Sequence, residues 1–464
     1  MKEHYDFIII GAGSAGLTAA VGAAGIGASV LLIEKHKIGG DCTHYGCVPS
    51  KALIHASKTV SAHTIEARVT QALEHAQAAV THIADEESPK ALAGLGIDVE
   101  LGNGVLRGKR RVAVNDKIYS GRKIIIATGS RPQQIPIKGL DDHDYLTNKS
   151  IFSTKSFTSL AILGGGPIGS ELAQSFARLG VKVHLIDRAN QVLSREDTEA
   201  SSIVADSMQR LDITLHLESE ITHANKQGNK KTLHITQSSG TESTVSVDEV
   251  LVAAGRQPNV EHIGLDDAGI DYSNQGIAIN KRGQTSQRHT YAIGDAAGPP
   301  FFTHRSNHHA KQVLTHAIFK LPTTFNEAIM PRVTFTTPEI ASIGMTEAEL
   351  EQTNTRYIVL KKPLSEMDRG ITDNVKNGFF KLLVNKRGKI FGATLVGNGA
   401  GELIGEIALA MNHGIKISQL ADTIHPYPTY GYGLRQTADL YRAQTYSPAK
   451  RSFVQKLFRL HGKT

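Results

Sequence analysis

One pattern occurs twice in this chain and limits what it can fold into. FIIIGAGSAG (7–16) leads through an Ala/Gly-rich stretch to SVLLIE (29–34), and LAILGGGPIG (160–169) leads through SELAQSFARLG to VKVHLID (181–187). Each reads as apolar strand, glycine turn, helix and strand, a βαβ unit. In each, an acid follows the third glycine by the same interval of 18 positions, Gly16 to Glu34 and Gly169 to Asp187. The first glycine of such a turn (Gly11, Gly164) permits the sharp bend. The second (Gly13, Gly166) lets backbone approach a pyrophosphate, and the third lets helix and strand pack closely. The helix start offers unpaired N–H groups to phosphate, and the terminal acid suits a ribose diol. One such turn is weak evidence; two, each strand-preceded, helix-followed and acid-closed, predict two dinucleotide sites. A third glycine cluster, VGNGAGELIG (396–405), has Glu402 where the third glycine belongs. No strand ending in an acid follows it, so it reads as packing at a helix start.

Between the units, residues 52–96 read as long helices with polar faces and 98–128 as a β-meander ending in KIIIATG. HITQSSGTESTVSVDEVLVAAGRQPN resembles that meander, so the two halves read as structural repeats. From about Met330, PRVTFTTPEIASIG, GFFKLLVN and KIFGATLVG read as antiparallel strands, with helices at 400–413 and 432–444. The predicted class is α/β, with two Rossmann-like dinucleotide-binding domains and a C-terminal α+β domain.

The 464 residues suit about three domains. With 40% hydrophobic and 20% charged residues the chain is ordinary for a globular protein. A net charge of +7 favours small anionic ligands in a general way. No aromatic-interleaved basic stripe argues for nucleic acid. The opening MKEHYDFIII lacks the apolar core and cleavage site of a signal peptide, and no apolar run nears the ~20 residues that span a bilayer. The expected location is the cytoplasm. There, a lone close pair of cysteines, Cys42 and Cys47, is more often catalytic than structural.

That pair lies in GGDCTHYGCVPSK (39–51). Five residues of regular helix rise about 7.5 Å, whereas a disulfide needs Cα atoms within about 7 Å. A Cys42–Cys47 bond therefore requires an irregular segment, and Gly46 supplies the backbone freedom. Lys51, four residues after Cys47, favours a thiolate if a helix begins near Cys47. The competing readings are two inert thiols or a partial metal site, and two cysteines without further ligands make a poor zinc site.

These residues resemble the two-cysteine flavoprotein pyridine nucleotide-disulfide oxidoreductases, the family of dihydrolipoamide dehydrogenase, glutathione reductase and mercuric reductase. The likeness runs through GAGSAG with Glu34, GGDC…GCVPSK, IIIATGSRP, GGGPIGSELA, VAAGRQPN, YAIGDAAG and FTTPEIASIGMTEAEL. It implies an FAD-binding domain over 1–150 and 277–328, an NAD(P)-binding domain over 151–276, a dimerisation domain over 329–446 and a basic tail at 447–464. It implies FAD contacts at Gly11, Gly13, Ser14, Ala15, Gly16, Glu34, Lys35, Gly40, Asp41, Lys51, Ala127, Thr128, Gly129, Gly294 and Asp295. Asp295 would contact the ribityl chain. Nicotinamide nucleotide contacts fall at Gly164, Gly166, Pro167, Ile168, Gly169, Asp187, Arg188, Ala254, Gly255 and Arg256. Hydride would pass to the flavin and then to the disulfide, with Cys47 next to the flavin, Cys42 exchanging with substrate, and Lys51 paired with Glu171. A carboxylate at Asp187 favours NADH over NADPH, although Arg188 is a candidate for the 2′-phosphate.

The chain departs from the disulfide reductases in one segment. They use a His-Pro-Thr run followed by a glutamate, supplied by the partner subunit of a homodimer. In IHPYPTYGYG (424–433) the histidine position holds Tyr427 and the glutamate position Tyr432. A phenol near pKa 10 is a poor base beside an imidazole near 6.5, so lipoamide or glutathione turnover should suffer. His425 lies two residues earlier, and alternation along an extended chain points it away. Mercuric reductases carry tyrosine here, so the chain resembles that branch more closely; they also carry a C-terminal cysteine pair and an N-terminal metal-binding domain, neither of which this sequence shows.

The expected activity is thus transfer from NAD(P)H to a small acceptor: a disulfide, a soft metal ion or a quinone. The alternatives are a dihydrolipoyl dehydrogenase, or a flavin-binding redox sensor or membrane-peripheral electron donor. His304, His308 and His309 in THRSNHHAK read as a helix flanking the flavin, with no resident metal expected. GKRR (108–111) reads as a solvated turn. The tail KRSFVQKLFRLHGK, about 21 Å long as a helix, is too short to span a bilayer; it lies on a membrane surface, packs on the protein or frays.

Overall fold

Uninterrupted apolar strands need cover on both faces, which parallel sheets flanked by helices provide. Ile8, Ile9, Leu31, Leu32 and Ile124–Ile126 are completely buried. The computed structural model of the chain describes residues 2–141, 144–228, 230–445 and 448–462. Of the expected tail, residues 447, 463 and 464 lie outside these. The chain divides into two compact units, residues 1–189 with 211–327, and 190–210 with 328–464.

In the first unit, His4–Ile10 is the centre of a seven-stranded sheet among the described residues. It pairs in parallel with Val30–Glu34 on one side and Lys117–Ile126 on the other. Thr290–Ala292 joins Lys117–Ile126 in parallel, returning a late segment to the first sheet. The meander expected over 98–128 holds only from residue 105. Ile97–Leu101 instead pairs in parallel with Val30–Glu34 as an edge strand. The helices Cys47–Thr59, Ile65–Glu86 and Pro89–Gly94 form the crossover that a parallel pairing requires. The second unit of the repeat builds a parallel four-stranded sheet among the described residues. Its order is Thr214–His216, Lys182–Ile186, Ser159–Leu163 and Glu249–Val252. An antiparallel meander follows, Ser219–Gln227, Lys230–Gln237 and Glu242–Val247.

The other unit contains a five-stranded antiparallel sheet among the described residues, Arg332–Thr334 to Ile358–Pro363. Ala400–Asn412, Ile417–Asp422 and Tyr430–Thr445 complete its core. Gly399, in left-handed geometry at φ 70°, begins Ala400–Asn412, so the third glycine cluster starts a helix as expected. Lys381, 7% exposed, lies 2.8 Å from both Asp197 and Glu347, the ionic centre of this unit. In the tail, Pro448–Phe458 is helical, with Phe453, Leu457 and Phe458 exposed. No helix among the described residues is long and apolar enough to cross a membrane.

Candidate active site

The two glycine turns separate into positions the protein itself fills and positions it leaves open. A Cβ on Gly11 would stand 2.3 Å from the Ala127 carbonyl oxygen, and one on Gly16 1.8 Å from that of Gly11. Gly169 repeats this against the Gly164 carbonyl at 1.9 Å. The middle glycines differ. A Cβ on Gly13 would meet only Gly40 Cα at 3.8 Å, and one on Gly166 nothing within 4 Å. Each starts a helix, Ser14–Ala24 or Pro167–Arg178, without a side-chain cap among the described residues. Open space before uncapped helical N–H groups is what a pyrophosphate needs, so both turns fit dinucleotides. The terminal acids brace the turns. Glu34 accepts hydrogen bonds from the N–H groups of Ala12 (2.7 Å) and His36 (2.8 Å). Asp187 accepts from those of Gly165 (2.5 Å) and Ala189 (2.7 Å). Arg188 is ion-paired with Glu220 at 3.1 Å, its side chain 79% exposed.

The cysteines sit where two helices meet. Gly40–Tyr45 ends at Gly46, whose φ −124° and ψ −113° break the helix, and Cys47–Thr59 starts immediately after. A Cβ on Gly46 would lie 3.0 Å from the Asp41 carbonyl oxygen and 3.3 Å from Cys42 Cα; glycine there lets the two cysteines close up. Both are thiols in this structure, with Cys42 hydrogen-bonded to Cys47. The Thr303 hydroxyl is 3.4 Å from Cys47 Sγ. The hydrogen bond from Cys42 pulls the exposed Cys47 thiol down to about 6, with help from Thr303 and the Lys51 charge. The same hydrogen bond, together with burial, pushes Cys42 well up. Cys47 is thus the thiolate of the pair. One turn on, Lys51 Nζ meets Glu171 Oε2 at 2.7 Å. Glu171 is buried on the helix that the second glycine turn opens, so the nucleotide turn and the cysteine helix are joined by this ion pair. With its side chain only 5% exposed, Glu171 is no solvated surface charge.

Beside them runs a chain of polar contacts. Ser130 donates to Asp295 Oδ2 at 2.5 Å and accepts from Arg256 Nε at 2.9 Å. Arg256 reaches Asp41 at 2.9 Å, and Asn148 donates to Asp41 at 3.2 Å. Burial pushes the Asp295 carboxyl up. Arg256, expected at the nicotinamide nucleotide, is held here between Asp41 and Ser130. Thr128 and Asn259 exchange hydrogen bonds at 2.7 and 2.8 Å, fixing the backbone beside Ala127 and Gly129. Gly40 and Gly294 take left-handed φ of 62° and 64°, with neighbours that leave no room for a side chain. Thr303, Ser130 and Asn148 escape sequence reasoning. Ser130 and Thr303 lie inside motifs read for other residues, and Asn148 carries no local signal.

In the second unit, Tyr427 is 66% exposed and meets Tyr432 edge-on at 5.3 Å. His425 is turned inward: Nε2 is 2.9 Å from Glu406 and Nδ1 3.0 Å from the Thr423 carbonyl. Of the histidine run, His309 stacks on Phe325 at 3.8 Å and lies 3.1 Å from Glu327.

Residues 5–317 match the model of the pyridine nucleotide-disulphide oxidoreductases, and 330–438 match that family's dimerisation domain. The chain belongs to this family. Among the relatives of this oxidoreductase, a mercuric reductase of Staphylococcus aureus is 31% identical over 449 residues, 94% of this chain and 82% of that one. A dihydrolipoyl dehydrogenase of Thermus scotoductus is 32% identical over 458 residues, covering 95% and 98%. Among solved structures, the HOCl-induced flavoprotein disulfide reductase RclA from Escherichia coli superposes with a TM-score of 0.86 at 27% identity, over 94% of this chain and all of that one. A Cu(II) complex of RclA gives 0.85. The oxidoreductase is therefore an FAD-dependent enzyme that draws on NADH or NADPH.

Proposed function

We propose that the enzyme uses NADH and that its acceptor is a thiophilic metal ion, mercuric or cupric, bound by Cys42 and Cys47. The observation that carries this reading is a Cys47 thiol held low beside Cys42, together with a 424–433 segment in the other unit that offers no free imidazole. His425 has both ring nitrogens engaged, and the exposed ring is the Tyr427 phenol. Exchange with a disulfide substrate needs a proton shuttle at the exchanging thiol; a soft dication takes the Cys47 thiolate and displaces the Cys42 proton on binding, with no shuttle required. The mercuric reductase among the relatives supports the same choice. The net reaction takes two electrons from NADH for one mercuric ion or two cupric ions.

FAD would lie against Gly11, Gly13 and Ser14, with its ribose at Glu34 and its ribityl chain at Asp295. The chemistry it supplies when bound is hydride acceptance from reduced nicotinamide and two-electron transfer to sulfur. Lys51 and Glu171 hold a fixed charge pair beside Cys47, and Thr303 donates to its thiolate. The Asp187 carboxylate at the second turn repels a 2′-phosphate, and Arg188 is already paired with Glu220; both favour NADH. Through the dimerisation domain, a partner copy would supply Tyr427.

The test is an acceptor series, mercuric and cupric ions, oxidised lipoamide, glutathione disulfide and a quinone, for wild type and Cys42→Ser. Metal-dependent NADH oxidation that vanishes in the variant is expected. Lipoamide or glutathione turnover as fast as metal turnover would refute the reading.

A further inference from the structure

A second concentration of charge lies far from the cysteines, in the first unit. A cavity of about 450 Å³ is lined by Arg110, Arg122, Lys123, Arg282, Arg288 and Lys320. Among the described residues, no carboxylate lines it. The six cations come from the tip of a hairpin, the strand Lys117–Ile126, the loop before Thr290–Ala292 and the end of the helix Thr303–Phe319. GKRR, read from sequence as a solvated turn, thus contributes Arg110 to a pocket.

The cofactor sites do not account for this cluster. Lys123 is in register with Phe7, near the amino ends of the parallel strands, whereas Gly11 and Ala127 follow their carboxyl ends. Four residues of strand separate Lys123 from Ala127, about 13 Å. Open α/β sheets bind their nucleotides at the carboxyl ends, so this pocket lies at the opposite end of the sheet.

The pocket's own groups do not satisfy one another. Lys123 is 9% exposed, its ammonium 5.6 Å from the centre of the Tyr291 ring. Burial first, then Lys320, Arg110, Arg122 and Arg288, bring it down to about 8. His289 has Arg110 Nη2 2.5 Å from Nε2 and Lys123 Nζ 3.4 Å from Nδ1. A neutral imidazole has one lone pair to give, so it cannot accept from both cations. The Tyr291 hydroxyl, completely buried, has no hydrogen-bond partner of normal geometry among the described residues, with Gln284 its polar neighbour. The carboxylate that feels Arg122, Asp6, is occupied by the N–H and hydroxyl of Ser29.

We propose that this cavity binds a small polyanion bearing a chain of phosphate groups, at a site separate from the nucleotide turns and the cysteines. Arginine forks pair two N–H groups with two phosphate oxygens. The volume falls in the small range of ligand pockets and suits a tripolyphosphate chain. A single-stranded nucleic acid needs a groove with exposed aromatic platforms; the tyrosine of this pocket is buried.

The experiment is calorimetric titration of the FAD-loaded enzyme with inorganic tripolyphosphate, ATP, inorganic phosphate, sulfate and single-stranded oligonucleotides of two lengths, all at matched ionic strength. The variants are Arg288→Ala, Lys320→Ala and the double variant; both residues are exposed. Tripolyphosphate should bind more tightly than phosphate or sulfate. Each variant should weaken it about tenfold, as loss of one charge-assisted hydrogen bond does. Equal affinity for ATP identifies the phosphate chain as the recognised element, and tighter ATP binding identifies a nucleoside polyphosphate, with either supporting the site. Unchanged affinity in the double variant, sulfate matching tripolyphosphate, or oligonucleotide binding that rises with length would overturn it. Thermal melting without ligand separates folding from binding: Arg288→Ala, which sheds a like charge, should melt no lower than wild type, whereas Lys320→Ala also loses a bond to the Ala317 carbonyl at the end of its helix.

Discussion

The low thiol midpoint of Cys47 rests first on a hydrogen bond from its neighbour, and replacing Cys42 tests that directly. With a midpoint of about 6, about nine-tenths of Cys47 is thiolate at pH 7, against a few per cent for a free cysteine near 8.5. A hydrogen bond to a charged group contributes about 1.5–3 kcal/mol, and a thiol is a weak donor, so the lower figure applies. At about 1.36 kcal/mol per pH unit, Cys42→Ala should move the midpoint from about 6 to about 7, leaving roughly half of Cys47 as thiolate at pH 7. Cys42→Ser keeps an O–H donor and should keep the midpoint near 6. The assay is the pH dependence of iodoacetamide alkylation of the reduced, FAD-loaded enzyme, localised to Cys47 by mass spectrometry. An alanine variant that still titrates near 6, or a serine variant that shifts as far as alanine, would refute the hydrogen bond as the cause.

Gly166→Ala should fold with unchanged melting temperature yet bind NADH at least tenfold more weakly, whereas Gly169→Ala, facing the Gly164 carbonyl at 1.9 Å, should lose several degrees in melting. Lys51→Met leaves the Glu171 carboxylate, its side chain 5% exposed, without its ammonium. It should cost roughly 2 kcal/mol in chemical denaturation, under the roughly 3–5 of a fully buried pair because Lys51 is 37% exposed. Glu171→Gln should lower the Cys47 midpoint below wild type, since the Glu171 charge opposes the thiolate; alkylation profiles read this too. Lys381→Met strands the Asp197 and Glu347 carboxylates around a buried position and should destabilise the protein by roughly 3 kcal/mol at neutral pH in urea melts.

The glycine turns were legible because their constraints are local: a bend, a close approach and a helix start within six residues. The cysteine pair was legible for the same reason, and the break at Gly46 follows from the reach of a disulfide. Lys51 and Glu171 are 120 positions apart, and nothing local joins them; family resemblance alone put them together. The strand Ile97–Leu101 was misread because its pairing with Val30–Glu34 depends on the whole helical crossover. Thr303, Ser130 and Asn148 acquire their partners only through tertiary structure. The same holds for the cationic cavity, whose members span Arg110 to Lys320 and of which only GKRR, as a solvated turn, stands out along the sequence.

Glu34 and Asp187 each engage both carboxylate oxygens with backbone N–H groups, one in the glycine turn and one just past the acid itself. Each acid therefore serves its loop as well as any ribose, and an amide in its place, with one acceptor oxygen where the carboxylate has two, should loosen the turn and weaken nucleotide binding together.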